Sequence, residues 1–278
     1  MAKLPLGPLA VINLLRELRA ATSRHKPLAL GGAVSLVEAL RRELGREGDA
    51  SALRDARPET IAGAAALVFV VAGDLTDEDE RLLRAADTAN VPIVVLGPDP
   101  RTPIPYVLAT DVLPLRPGEG FPLDDLARLL AAKVDEDATA LAARLPALRR
   151  GVADALIARF ARQNGLLAAA IFVPGVDYPV LTLNQLRLVL RLAAAYGHEL
   201  DQQRLPEILG VVGAGLGFRA IARQAVGVIP VAGWAIQGGV AYGGTRAIGE
   251  AAIRYFEARA GESGGGGAEP GAPRADRA

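Results

Sequence analysis

The 278-residue chain contains no cysteine, only three lysines (Lys3, Lys26 and Lys133) and only two histidines, His25 and His198. Without cysteine there is no disulfide framework, no thiolate metal site and no cysteine nucleophile. Two histidines exclude a histidine-rich metal centre. Aromatic residues make up 4% of the chain, and the 31 basic side chains are matched by 31 acidic ones, so the formal net charge is zero. A neutral, aromatic-poor surface argues against a protein built to grip nucleic acid. Arginines outnumber acids between residues 146 and 260, but they are spread over many helical segments. No nucleic-acid partner is therefore expected. What the chain has in quantity is small and aliphatic residues: 51% is hydrophobic and 31 residues are glycine. A length of this kind suffices for one large or two ordinary domains with a well-buried core.

The chain divides into four segments. In residues 1–25, Leu9, Ile12, Leu14, Leu15 and Leu18 mark one helical face and Arg16, Glu17 and Arg19 the other. This reads as an amphipathic N-terminal helix packed on the next domain, with an interfacial membrane helix as the alternative. No secretory signal is recognised at the start. Residues 26–137 alternate short apolar runs with amphipathic ones. Strands are expected at Pro27–Leu30, Ala66–Val71, Val91–Leu96 and Tyr106–Leu113, with helices at Val34–Leu44, from Thr76, and at Leu123–Val134. Thr76 is a good N-cap, and Glu78, Asp79 and Glu80 face the positive end of its helix dipole. Apolar strands separated by helices imply an α/β domain with a mostly parallel sheet covered on both faces. Residues 138–260 read as helical almost throughout. Residues 261–278, with Gly264–Gly267 and no large apolar side chain, are expected as a disordered tail.

A strand, a glycine turn and a helix form the usual frame of a phosphate-binding loop. Here it reads Leu28-Ala29-Leu30-Gly31-Gly32-Ala33-Val34-Ser35. The frame resembles the start of an Era-type GTPase, in which the glycine is followed by lysine and then serine or threonine. Gly32 matches the glycine, but Ala33 stands where the lysine belongs and Val34 where the magnesium-binding hydroxyl belongs. Pro27 occupies the position of the loop's first glycine. The lysine neutralises the β- and γ-phosphates and the hydroxyl holds the metal. Without them, Gly31 and Gly32 are left as a vestigial phosphate loop able to hold a lone anion at most. No D-x-x-G follows the first helix (Asp55-Ala56-Arg57-Pro58 is nearest), and Gly97-Pro98-Asp99-Pro100 replaces a guanine-reading N-K-x-D. The domain reads as a degenerate GTPase-like unit, with a plain three-layer α/β domain as the alternative.

The helical half carries three recognisable segments. These are Arg162-Gln163-Asn164 with Phe172-Val173-Pro174-Gly175-Val176-Asp177; Leu181-Thr182-Leu183-Asn184-Gln185-Leu186; and Ala241-Tyr242-Gly243-Gly244-Thr245-Arg246-Ala247-Ile248-Gly249-Glu250, ending near Tyr255-Phe256. On them, the stretch from Arg149 to Phe256 resembles the domain of unknown function 697 family. The resemblance implies an architecture, a frequent fusion to Era-type GTPase domains and a link to membranes, with no reaction attached. From the residues themselves, Tyr242, Thr245, Asn164 and Asn184 are expected to form a buried polar network. Thr182 or Asn184 is expected to cap a helix over Leu186–Ala195, and Arg246 to pair with Glu250.

Gln224–Thr245 is uncharged over a length that would span a bilayer, but it holds two glutamines, Pro230 and six glycines. A tightly packed helical core and membrane contact through residues 205–245 are both open on this pattern. Asp177, Ser35 and His198 with Glu199 stand in no recognisable catalytic arrangement. His198 after Gly197 reads as a helix C-terminus, and Asp74–Glu80 as the first turn of a helix. The chain is thus expected to be a cytoplasmic, non-catalytic scaffold or accessory protein without cofactor or metal. Its partner would be a protein or a second copy, and its place the cytoplasm or the inner face of the membrane. The alternative is a regulator that still binds a nucleotide or anion.

Overall fold

The computed structural model describes residues 13–16, 18–19, 26–97, 99, 101–116, 118–170, 177–198 and 233–264. Its first half is an open sheet of five parallel strands: β1 (Leu28–Gly32), β2 (Leu53–Asp55), β3 (Ala66–Val70), β4 (Ile93–Gly97) and β5 (Val112–Pro114), in the order β2-β1-β3-β4-β5. Helix α1 (Val34–Gly45) follows β1, α2 (Asp77–Thr88) follows β3, and α3 (Leu123–Arg144) follows β5. Helices α4 (Arg149–Ala170), α5 (Asp177–Ala195) and α6 (Gly233–Gly264) follow among the described residues.

Register explains the two-sided burial. Leu28, Leu30 and Gly32 of β1 stand opposite Ala66, Val68 and Val70 of β3, and Val68 and Val70 stand opposite Val94 and Leu96 of β4. Because strand side chains alternate, this set shares one face. The face packs with Val37, Leu40 and Leu44 of α1 and with Leu126 and Leu130 of α3. The other set, Ala29, Leu67, Phe69, Ile93 and Val95, packs on Leu82, Leu83 and Ala86 of α2. The fold class is thus the α/β sheet followed by helices that the pattern implied.

The first core does not stop at the sheet. It runs through Leu141 and through Val152, Leu156 and Phe160 of α4 into Leu188 and Leu192 of α5 and Ile248 and Phe256 of α6, and it includes Leu14, Leu15 and Leu18 from the N-terminal helical residues. The boundary expected at 137/138 lies two residues past the break at Asp135, and the core continues across it. Within α3 two helical segments meet at a kink: Asp135 has φ 33° and ψ −92°, against helical values on either side. At the far end, Asp49 fastens the loop after α1 to Arg144. Nε and Nη2 of Arg144 donate to Oδ2 of Asp49 at 3.0 and 2.9 Å, and the Asp49 amide donates to the Arg144 carbonyl at 2.9 Å. Hydrogen bonds from the Ser51 side chain, from Arg144 and from the Ser51 amide hold the Asp49 carboxyl at about 2.

Several local expectations need correction. The last strand is Val112–Pro114, not Tyr106–Leu113: Tyr106 has φ 66°, and a 3-10 turn at Ala109–Asp111 precedes the strand. Strand β2 has no counterpart among the strands expected from the sequence. The first helical segment of α3 ends at Val134, as expected, and a second segment, which the pattern did not separate from the helical half, runs on from the kink at Asp135 to Arg144. Helix α5 begins at Asp177, so Thr182 and Asn184 lie inside it and cap nothing. Helix α6 reaches Gly264, into the segment expected as tail, and residues 265–278 lie outside the described residues. The cap at Thr76 is complete: its hydroxyl accepts from the Asp79 amide, and the Asp79 carboxylate accepts from the Thr76 amide.

Candidate functional site

In doubly wound sheets, ligands bind outside the carboxyl ends of the strands, where the strand order reverses. Here that point lies between β1 and β3, since α1 and α2 leave toward opposite faces. It is also where Gly31 and Gly32 lie. Gly32 has φ +100°, and a Cβ there would stand 2.1 Å from the Val70 carbonyl oxygen. The next amide, of Ala33, donates to that same oxygen at 2.9 Å. The turn thus lies flat against β3, and one of the amides that would face a phosphate is spent on the sheet. Ala33 caps α1 without a side-chain bond. Val34, in the place of the metal-binding hydroxyl, is 73% exposed, and Ser35 beside it is exposed.

The acidic residues of the neighbouring segments have local structural partners. Asp55 ends the edge strand β2 and pairs with Arg41. Asp99 accepts from the Arg101 amide at 2.9 Å within its own turn. Asp79 is committed to the α2 cap. Among the described residues there is no cluster of His, Asp and Glu that could hold a metal ion.

The helical half has a polar centre. Asn164 of α4 is fully buried, and its amide donates to the Thr245 hydroxyl of α6 at 2.9 Å. Its carbonyl accepts from the Asn184 amide of α5 at 3.0 Å, and the Thr245 hydroxyl donates to the Ala241 carbonyl at 2.8 Å. Three helices are keyed together by groups whose alternatives are unsatisfied and buried. Tyr242 stands outside this network and is hydrogen-bonded to Arg246, which also reaches Glu250 at 3.3 Å. Close approach accompanies the network, because a Cβ at Gly238 of α6 would meet the Gly165 carbonyl of α4 at 2.9 Å. Truncating Asn164 to alanine strands both partners. Chemical denaturation is expected to show a loss of about 1–3 kcal/mol, while Gln163→Ala on the exposed side of the same helix should cost little.

The family model for a domain of unknown function, DUF697, matches residues 133–271, half of the chain. The chain belongs to this family. The DUF697 match takes in the turn of α3, all of α4, α5 and α6, and the network that joins them. No curated protein and no solved structure matches the chain.

Two further features lie in the DUF697 half. His198 closes α5 as expected: its amide donates to the Ala193 carbonyl at 3.0 Å, the Gly197 amide donates to the Ala194 carbonyl at 2.9 Å, and Gly197 has φ +80°. This is a Schellman cap, and the imidazole lies 5.0 Å from the Phe256 ring of α6. The Tyr196 hydroxyl donates to Glu257 Oε1 at 3.0 Å, and burial, then the Glu257 carboxylate, push its phenol well above the usual range. Sequence reasoning missed a third feature, the cluster of Asp135 with Arg159 (2.7 Å) and Arg191 (2.6 Å). Its one sequence signal is the charged run Asp135–Asp137, which lies at the expected domain boundary.

Asp177 opens α5, and its side chain lies outside the described residues, as does Glu199. Most of the stretch proposed for membrane contact, residues 205–232, also lies outside them. Among the described residues no helix is long and apolar enough to cross a membrane.

Proposed function

We propose that this protein is a non-catalytic scaffold or accessory protein whose α/β half is a degenerate GTPase-like domain. The observation that carries this reading is the β1–α1 turn. Its glycine is pressed on Val70, its next amide is spent on the same carbonyl, and Ala33 and Val34 replace the two groups that would hold a triphosphate and its magnesium. Phosphoryl transfer relies almost wholly on such positioned charge, so the turn offers hydrolysis nothing to work with. The GTPase ancestry in this proposal rests on the order of elements and on the acidic first turn of α2. The strand order itself is shared with flavodoxin-like sheets.

A titration of the full chain with GTP and magnesium is expected to give no saturable heat. Tight, magnesium-dependent binding would overturn the proposal. The absence of a side-chain cap on α1 favours one second reading, a regulator that holds a lone anion at this turn. Weak, magnesium-independent binding of inorganic phosphate, lost when Val34→Glu places a carboxylate there, would select it.

The location we propose is cytoplasmic, with any membrane contact peripheral and made through residues 205–245. After fractionation of native cells and a carbonate wash, the protein is expected in the supernatant. Retention in the washed pellet would mean that this stretch is embedded in lipid.

A further inference from the structure

A second feature lies at the carboxyl edge of the same sheet, on the face that carries α1. It is an open cleft of about 430 Å³, walled by α1, by the residues that continue β3 and by the connection from β5 to α3. A cleft of this size falls within the range of small-molecule sites, about 300–1,000 Å³. Its place follows from the topology, because the carboxyl ends of parallel strands open into loops that leave room between the covering helices.

The chemistry of the walls is legible from α1. Val37, Leu40 and Leu44 of this helix are buried in the core. Leu36, Ala39 and Glu43, one helical position to the side, form a second stripe that lines the cleft. The core stripe holds the helix in place, so the cleft stripe is a fixed wall. Val71 faces it from the end of β3, and Leu115 and Phe121 close the third side. Three charged residues line the cleft. Arg116 and Glu119 answer each other, with Nη1 and Oε2 at 3.5 Å. Glu43 is half-buried, and among the described residues its carboxylate has no ion pair or hydrogen bond. An apolar cavity with one unanswered negative charge on a rigid wall is complementary to an apolar body with one positive charge.

We infer that this cleft binds a small apolar molecule carrying a single cationic group, with the cation against Glu43 and the apolar body against Leu36, Val71, Leu115 and Phe121. The inference is independent of whether the β1–α1 turn ever held a nucleotide.

The test uses three probes of equal length and different charge on the isotope-labelled full chain: n-octylammonium, n-octanol and n-octanoate, each below its micelle threshold. Saturable amide shifts are expected at Leu36, Ala39, Val71 and Leu115. Octylammonium should bind about two- to fivefold more tightly than octanol, the range of a solvent-accessible charge pair, and octanoate more weakly than either. Glu43→Gln should erase the preference for the cation over octanol. Ala72→Phe, which fills the cleft from the β3 side, should weaken all three. Absence of saturable shifts at these residues would overturn the inference, and so would equal binding of octanoate and octylammonium. An unchanged cation preference in the folded Glu43→Gln variant would overturn it as well.

Discussion

Replacing Asp135 by alanine is expected to lower the unfolding free energy by about 3 kcal/mol, with a fall in Tm of roughly 10 °C. Arg191 is the reason. Its side chain is 7% exposed, and its Nη2 reaches Asp135 at 2.6 Å and the Thr139 hydroxyl at 3.0 Å. A guanidinium this deep cannot return to water when its partner is removed. Breaking a buried pair from one side generally costs about 3–5 kcal/mol. Asp135 keeps 39% of its side chain in solvent, and that screening places the expected loss at the low end of the range. The same residue sits at φ 33°, a conformation that costs a non-glycine residue about 1–3 kcal/mol. The two effects separate in a pair of variants. Alanine normally outranks glycine inside a helix by about 1 kcal/mol. At Asp135 the order should reverse, with Asp135→Gly melting above Asp135→Ala, because glycine accepts the positive φ. A normal order would mean that the turn of α3 straightens once the carboxylate is gone.

The pair also fixes a pH dependence. Burial raises the Asp135 carboxyl, but the guanidinium groups of Arg191 and Arg159 outweigh it and hold it below the ordinary carboxylate value. A carboxyl depressed in the folded state adds stability that is present above its unfolded pKa of about 3.9 and is lost as pH falls through the folded value. Urea midpoints of the wild type should therefore fall below about pH 4 more steeply than those of Asp135→Asn. Parallel curves would mean that the cluster contributes no linkage.

How much of the structure was legible in the sequence depends on how local each feature is. Strands β1, β3 and β4 are continuous apolar runs because parallel strands covered on both faces leave no polar side. The Thr76 cap closes within three residues. The Asn164 network was legible from polar residues inside apolar helices, and Gly197 announced the end of α5. Strand β2 escaped because Leu53–Asp55 is an edge with two charged residues out of three, paired only with β1. Strand β5 was displaced because Tyr106 turns with positive φ among prolines, a choice set by its surroundings. The turn at Asp135 has no glycine or proline to mark it. It exists because arginines 24 and 56 residues away meet one carboxylate, and no window along the chain contains all three. The cleft was invisible for the same reason, since α1, β3 and the β5–α3 connection contribute a wall each.

The second large effect concerns the turn on which the functional reading rests. Gly32→Ala is expected to cost about 3 kcal/mol or more, combining a positive-φ penalty of about 1–3 kcal/mol with overpacking of similar size. The added methyl would meet the Val70 carbonyl oxygen at 2.1 Å and the Val70 backbone nitrogen at 2.9 Å. Val70 is paired with β1 on one side and β4 on the other, so it has no direction in which to yield. Gly31→Ala is the matched comparison. Its nearest contacts are the end of the Leu82 side chain at 2.9 Å, which can rotate, and the Ala56 Cβ at 3.1 Å, which needs a shift of a few tenths of an ångström, and its φ is not left-handed. It should cost about 1 kcal/mol, and thermal melts of the two variants should differ by several degrees. The comparison also bears on function. A loop kept for phosphate would lose ligand affinity in both variants, including Gly31→Ala, which stays folded. A loop kept for packing loses stability in proportion to the steric conflict and has no affinity to lose. If Gly31→Ala abolishes binding of GTP or phosphate that the wild type shows, the turn is a working anion site and the scaffold reading fails. If the melts alone separate the two variants, these glycines serve the closeness of β1 to β3.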